Sequence, residues 1–379
     1  MKLGLAFATC LFPFALSASE VRLERVPENG LQPDALTEPT GRTHLVYLTG
    51  DPKAADIQYV TRANPAQPWS NPLRVNSQPG SAVAIGTVRG PRLSLIQPGQ
   101  VGLVWNGSSL AEPKSAESAP LLFTRLADLG TTFETQRNLM GPLRHLDGGA
   151  ALASNGRGVV LVAWHAAPPA GIPEAETEDS RGVYVATSQD DGRTFTEPRR
   201  IDTSALGVCA CCALEAGFRD NQTVYVLYRS ATGGSERGLV ELKSVDGGQT
   251  FASCRLDQWT LNQCPMTTTR LTPTGNYAVW STRGTIQFSR LEGASALAPV
   301  SISGTGRLAN HPVVVSGGDQ HFLIAWTEGT GWQRGGDLVW QLVNANGAPV
   351  GPTSRTAGIP VWGFPAVISE ADGHFTLLY

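Results

Sequence analysis

The sequence predicts an all-β fold, a propeller of six or seven blades in which each blade is a four-stranded antiparallel sheet. Three observations support this prediction: a hairpin motif that recurs along the chain, a pair of strand patterns before each hairpin, and few helical stretches. Strand units that repeat at roughly 45 to 65 residues are typical of propellers, because each blade is one complete sheet.

The recurring hairpin has the pattern Ser-x-Asp-x-Gly-x-Thr-Phe between two strands. It occupies residues 188–195 and 244–251, and a weaker copy at 126–133 has leucine in place of the serine. The aspartate can accept hydrogen bonds from amides of its own turn, the glycine adopts a positive φ, and the aromatic ring packs beneath the loop. More degenerate hairpins lie at residues 56–75, 285–302 and 338–354, which makes six in all.

Each hairpin follows a strand pair, in which a short inner strand is succeeded by a more apolar one. Seven such pairs are found, at residues 34–50, 92–107, 151–166, 213–230, 267–284, 313–329 and 366–379. Six hairpins against seven pairs leave the blade number open between six and seven. We expect Phe375–Tyr379 to close the ring against N-terminal strands, and we interpret residues 167–180 as a long loop inside a blade.

The first 19 residues are predicted to be a signal peptide. Lys2 precedes an uncharged run from Leu3 to Ser19, and that run is too short to span a membrane. We therefore expect a periplasmic or secreted protein with one domain, residues 20–379, and no membrane span. The net charge of −3 and the lack of a basic block argue against a nucleic-acid partner.

Unusual residues stand just before the predicted inner strands, where all blades of a propeller converge on one rim of the central channel. They are Arg92, His145, Asp147, Cys209, Cys211, Cys212, Cys264, Met266, His311 and Trp362. Because they occupy equivalent places in their blades, we expect them to share one surface at the channel mouth.

The sulfur and imidazole groups among them indicate a soft metal site. Thiolates and imidazoles favour Cu(I) or Zn over Mg or Ca, and the Cys-x-x-Cys spacing of Cys209 and Cys212 lets two thiolates reach one ion. A thioether at Met266 favours copper over zinc. The hypothesis takes its ligands from Cys209, Cys211, Cys212, Cys264, Met266, His145 and His311.

Two other interpretations of the cysteines stay open. In an exported protein cysteines usually form disulfides, and a bridge from Cys264 to the cluster would join neighbouring blades. Of the six cysteines, Cys10 lies in the leader, so five remain and at least one has no partner within the chain. A redox-active Cys209–Cys212 pair is the third interpretation, and Cys254 is expected to be buried or bridged.

The hairpin motif resembles the Asp-box of bacterial neuraminidases, a repeat of sialidase-like propellers. This resemblance implies a sialidase-like propeller fold, and it implies a glycoside hydrolase of sialidase type as an alternative function. In that alternative Glu215 and Arg229 match the family's catalytic Glu and a carboxylate-binding Arg, while Arg92 and Arg283 supply further guanidinium groups and Asp147 is the nearest candidate acid/base.

The family's tyrosine nucleophile has no counterpart, because the matching places carry His311 and Trp362 or Phe364. A simpler interpretation of Glu215 and Arg229 is an ion pair inside the channel. We therefore predict a thiophilic metal-binding propeller, with copper or zinc at the channel mouth. The alternatives are a sialidase-type enzyme that binds a sugar, and a propeller that only presents a surface to another protein.

Overall fold

The computed structural model of the chain describes residues 21–86, 88–115, 119–169, 177–202, 205–291, 298–302, 306–317 and 321–379. The predicted signal peptide, residues 1–19, lies outside these ranges. Within them the single helical element is a 3-10 turn at Pro27–Asn29. In this described part no helix is long and apolar enough to cross a membrane.

The strands form seven sheets arranged as the blades of a propeller, so the fold prediction is confirmed and its blade number is seven. Blade 1 consists of β2 (Leu31–Thr37), β3 (Thr43–Asp51), β4 (Ala54–Arg62) and β5 (Leu73–Arg74). Blade 2 consists of β6 (Arg92–Gln97), β7 (Gln100–Asn106), β8 (Leu121–Arg125) and β9 (Arg137–Asn138). Blade 3 consists of β10 (Ala151–Ser154), β11 (Val160–Ala166), β12 (Gly182–Ser188) and β13 (Arg199–Arg200). Blade 4 consists of β14 (Glu215–Phe218), β15 (Val224–Arg229), β16 (Leu239–Ser244) and β17 (Ala252–Arg255). Blade 5 consists of β18 (Thr269–Leu271), β19 (Tyr277–Thr282), β20 (Thr285–Arg290) and β21 (Val300–Ile302). Blade 6 consists of β22 (Ala309–Ser316), β23 (His321–Glu328), β24 (Gly336–Asn344) and β25 (Ser354–Ile359).

Blade 7 closes the ring and is built differently from the other six. It contains β26 (Ala366–Ser369), β27 (Phe375–Leu378) and the N-terminal β1 (Val21–Glu24). The first two strands are antiparallel, but β1 pairs with β27 in parallel, with Val21 opposite Phe375 and Glu24 opposite Leu378. The expectation that the C-terminal strand closes against the N-terminus is therefore confirmed.

The core lies between the blades, and large aromatic side chains at matching places of the second strands fill much of it. These side chains are less than 2% exposed: Tyr47, Trp105, Trp164, Tyr228, Trp280 and Trp326. The second strands are buried on both faces, because each is flanked by strands of its own sheet and covered by the neighbouring blades. This explains why they were the most apolar patterns in the sequence.

The Ser-x-Asp-x-Gly-x-Thr-Phe turns join the third and fourth strands of a blade. In blade 3 the Ser188 hydroxyl donates to Asp190 (2.7 Å) and accepts from the Gly192 amide (2.8 Å). Asp190 also accepts from the amide of Thr194 (2.8 Å), and Gly192 has a φ of 76°. Because these bonds are local, the turn fixes its hairpin without contributing to any site at the mouth.

The predicted rim has a shared backbone feature. In six blades a residue at or just before the inner strand has a left-handed φ: Gln32, Val88, His145, Met266, His311 and Trp362. Non-glycine residues rarely adopt such angles. The inner strands contact their neighbours around the ring, so these turns lie side by side at one end of the channel.

Candidate metal centre and charged channel

Four thiols converge at the mouth between blades 3, 4 and 5. Cys209 Sγ lies 3.3 Å from Cys212 Sγ and 3.7 Å from Cys211 Sγ. The Cys264 sulfur and a Glu178 carboxylate oxygen lie within 4.8 Å of Cys209 and of each other. None of the cysteines in the described ranges forms a disulfide. The chain thus brings together three thiols of one loop and a fourth from the next blade.

The loop that carries three of these thiols is held by hydrogen bonds to elements on both sides. The Cys209 amide donates to the Arg229 carbonyl (2.9 Å), and the Ala210 carbonyl accepts from the Gly148 amide (2.7 Å). On the other side the Ala213 amide donates to the Thr267 carbonyl (3.2 Å). Blades 3, 4 and 5 therefore fix the backbone of the loop, and with it the directions of the Cys209 and Cys212 side chains.

Charged groups surround the thiols. The Glu178 carboxylate accepts from the Ala210 amide (2.9 Å) and pairs with the Arg237 guanidinium (2.7 Å). Arg181 and Arg237 both interact electrostatically with Cys209 and Cys264. Positive charge next to a thiol favours the thiolate, which is the form that binds metals.

A second contact path runs through Thr267. The Nε of Arg229 donates to Thr267 Oγ1 (2.9 Å), and that oxygen lies 3.3 Å from Cys212 Sγ. The other nitrogens of Arg229 donate to the carbonyls of Arg237 and Ser281, each at 2.6 Å. Arg229 therefore supports the thiol loop from behind, and it makes none of its described contacts with Glu215.

Hydrogen bonds among the thiols shift their pKa values in opposite directions. Burial opposes ionisation of Cys212, but hydrogen bonds with the Cys209 and Cys211 thiols and the nearby Arg229 charge lower its pKa well below the ordinary value. Hydrogen bonds with Cys209 and Cys211 also lower the pKa of Cys264. The pKa of Cys211 is raised, because its thiol shares hydrogen bonds with Cys209 and Cys212. The hydrogen bonds among the thiols therefore favour the thiolate at Cys212 and Cys264 over that at Cys211.

No described contact places the predicted ligands His145, His311 and Met266 among the four thiols. No His nitrogen joins the described groups of three or more ligand atoms within 4.8 Å. His311 is buried, with Nδ1 3.1 Å from Thr327 Oγ1 and with no hydrogen-bond partner at Nε2. The carbonyl of His145 accepts from Arg181, and the Met266 carbonyl accepts from Asn310 (3.2 Å). Burial, with a contribution from Arg270, lowers the pKa of His311 to about 4.

Below the mouth the channel contains a cavity of about 420 Å³ and a compact network of four charged side chains. Arg92 donates to Glu215 (2.6 Å) and to Asp34 (3.3 Å). Arg270 pairs with the same Glu215 oxygen (3.2 Å) and lies 4.0 Å from Asp34. Two guanidinium groups thus face two carboxylates, and burial raises the pKa of Glu215 even though both arginines oppose the shift.

The other residues proposed for the sialidase alternative lie apart from this network. Asp147 pairs with Arg89. Arg283 is exposed and donates to the Gln258 carbonyl (2.8 Å). Of the candidate arginines only Arg92 lines the channel cavity, so the described residues do not bring the three predicted guanidinium groups together.

Sequence reasoning missed three residues of these sites. Asp34 and Arg270 stand on inner strands at places corresponding to Arg92, and that correspondence was the available signal. Glu178 lies in the long segment between β11 and β12, where no repeat pattern marks it. Its carboxylate nevertheless lies beside Cys209 at the mouth.

Comparison with known proteins shows the fold. The chain is similar to the Hadza microbial sialidase Hz136, with 14% identity, a TM-score of 0.52, and coverage of 85% of this chain and 73% of that one. It is similar to a Penicillium chrysogenum alpha-L-arabinanase solved with arabinobiose (14% identity, TM-score 0.53, coverage 87% and 99%). It is also similar to the Aleuria aurantia lectin AAL (10% identity, TM-score 0.52, coverage 87% and 96%).

At the level of sequence the comparisons found no relatives. No family model matches the chain, and no curated protein matches it. The fold is therefore that of sialidases and related propeller proteins, at identities that show the fold alone.

Proposed function

We propose that this protein is an exported propeller that binds one soft metal ion, copper(I) in preference to zinc, at the channel mouth. Cys209, Cys211, Cys212 and Cys264 are its proposed ligands. The observation that carries the proposal is the convergence of four sulfurs from two blades. The sulfurs of Cys212 and Cys211 lie 3.3 and 3.7 Å from that of Cys209, and the Cys264 sulfur lies within 4.8 Å of it.

The spacings of Cys209 to Cys211 and Cys212 suit a single ion. With metal–sulfur bonds of about 2.3 Å, the sulfurs of a tetrahedral site are separated by ~3.8 Å. A set of soft thiolates with one adjacent carboxylate selects Cu(I) or Zn(II) over Mg or Ca. The preference for copper over zinc comes from the sequence prediction that included Met266; no described contact places its thioether among the four thiols.

The sialidase alternative has one supporting observation, the channel cavity lined by Arg92, Glu215 and Arg270. A carboxylate-binding site needs guanidinium groups with unused hydrogen-bonding capacity. Here Arg92 and Arg270 already face Asp34 and Glu215, and Arg229 is engaged elsewhere. The geometry therefore favours metal binding over hydrolysis of sialosides.

The test is elemental analysis with thiol titration on protein purified without oxygen or chelator. We expect about one equivalent of copper or zinc, bound in the wild type and lost in a Cys209→Ser, Cys212→Ser double variant. Cys254→Ser is the matched control, since Cys254 lies on the outer strand β17, and it should keep the metal. Absence of metal with oxidised thiols would contradict the proposal in favour of structural disulfides, and turnover of a fluorogenic sialoside would favour the enzyme.

A further inference from the structure

The four thiols differ in their access to solvent. Cys209 is 1% exposed and Cys212 is 3% exposed, while Cys211 is half-buried and Cys264 is exposed. A structural metal site normally encloses all of its ligands, whereas a site that reacts keeps one position open. In this cluster the accessible position is that of Cys264.

The thiols also differ in how their backbone is held. Residues 208–214 hydrogen bond to their own blade and to its neighbours, for example through Cys209 to Arg229 of blade 4 (2.9 Å) and through Leu214 to Gly149, before blade 3 (3.1 Å). In contrast, no hydrogen bond among the described residues involves the backbone of residues 262–265. Backbone without such bonds moves at low free-energy cost. Three thiols are thus fixed, and the fourth stands on a segment that can move.

We propose that Cys264 is the exchangeable ligand of the metal site, and that a metal carrier with an exposed thiol loads or removes the metal by taking its place. This inference rests on the proposed function. Cys209, Cys211 and Cys212 retain the ion during exchange, because a three-thiolate site is a sufficient set for Cu(I). The bound metal is then a cargo passed between molecules and does not serve to hold the blades together.

The exchange is balanced in atoms and charge and involves no oxidation. The incoming thiol loses its proton as its sulfur binds the metal. The bond between the metal and Cys264 Sγ breaks, and the Cys264 thiolate takes up a proton. The partner therefore needs a sulfur ligand that can reach the exposed side of the cluster, where Glu178 and Arg237 form an ion pair.

The test compares Cys264→Ser with Cys212→Ser and with the control Cys254→Ser, each loaded with one equivalent of Cu(I). We expect Cys264→Ser to keep its copper. When a chelator that becomes coloured on binding Cu(I) is added, the variant should release the ion about tenfold faster than the wild type. Cys212→Ser should lose its copper, because it leaves only two thiols on the held loop beside the exchangeable Cys264. Adding reduced glutathione, the probe for a thiol carrier, should accelerate release from the wild type in proportion to its concentration.

Alkylation with a maleimide gives a second measurement that does not depend on a variant. In copper-loaded protein, peptide mapping should show Cys264 modified, with Cys209, Cys211 and Cys212 protected. If Cys264 is protected equally, or if Cys264→Ser loses copper as Cys212→Ser does, the site is closed and the inference is wrong while the proposed function stands. If the wild type binds no copper or zinc at all, the proposed function itself fails.

Discussion

The thiol cluster at the mouth and the charged network in the channel below it are both groups of polar side chains, but their charges are balanced in different ways. In the channel, Arg92 and Arg270 meet Asp34 and Glu215 within 4.0 Å, so the network contains its own counter-charges. In the cluster Cys209 lies within 4.8 Å of three other sulfurs, and thiolates this close repel one another. The network is therefore explained as structure, whereas the cluster is the feature for which we propose a bound cation.

The largest effect is expected from breaking the network. Replacing Glu215 by alanine leaves Arg92 and Arg270 with only Asp34 between them. Removing one partner of a buried ion pair costs about 3–5 kcal/mol in the free energy of unfolding. Urea denaturation should show this loss, while the metal content per molecule stays unchanged because no thiol is altered.

A charge-balanced variant sharpens that test. In a Glu215→Gln, Arg270→Gln double variant one positive and one negative charge disappear together, so the loss of stability should be smaller than in Glu215→Ala. If the single variant loses less than about 1 kcal/mol, the network is screened by channel water and contributes little, as exposed pairs do.

The next largest effect on stability is expected from a change of pH, through a buried carboxyl group that has no arginine partner. Glu241 on β16 is 3% exposed, and burial raises its pKa to about 7 from 4.5, with only Lys243 opposing. The folded state therefore prefers the protonated carboxyl. This contribution to stability is fully present below pH 4.5 and is lost as the pH rises through 7.

The expected loss is about 3 kcal/mol in the free energy of unfolding between acidic and mildly basic conditions. Denaturation of the wild type and of Glu241→Gln at several pH values measures it, and the variant should lack this part of the slope. Equal slopes in the two proteins would mean that Glu241 is solvated in the folded state.

The smallest expected effect tests the support of the thiol loop. In Thr267→Val the Arg229 Nε loses its acceptor and Cys212 loses its polar neighbour. Loss of such supporting contacts weakens metal affinity by about 10- to 100-fold. The unpaired guanidinium nitrogen should also cost about 1–3 kcal/mol of stability.

Thr268→Val is the matched control. The Thr268 hydroxyl is buried and has no hydrogen-bond partner among the described residues. Its removal should leave both the metal affinity, measured by chelator competition, and the stability at or above wild-type values. Equal losses of affinity in the two variants would show that Thr267 has no specific role toward Cys212.

Much of the fold was predictable because its repeats are local. The turn motif at Ser188 and the apolar second strands mark the blades directly in the sequence. Six hairpins and seven inner pairs were both correct counts, since blade 7 takes its third strand, Val21–Glu24, from the N-terminus. That strand pairs across the whole length of the chain, so no local pattern could assign it.

The site was predictable where position along a blade determines the place of a side chain. Cys211 and Cys264 precede adjacent inner strands and lie at the mouth together. The role of Arg229 could not be read in this way, because it stands on a second strand and its partners depend on how blades 4 and 5 pack. Glu178 stands between β11 and β12, outside the repeated strand pattern, so no equivalent position in another blade could have marked it as part of the cluster.

The parallel pairing of β1 with β27, which closes the ring, has a mechanical consequence. Since the two strands are parallel, the chain enters at Val21 at one end of the pair and leaves after Leu378 at the other. A force that pulls the two termini apart therefore acts along the strands and loads their hydrogen bonds together, in shear, where an antiparallel closure would open one bond at a time. Stretched between its ends, the ring should resist opening most strongly at the very joint where it is closed.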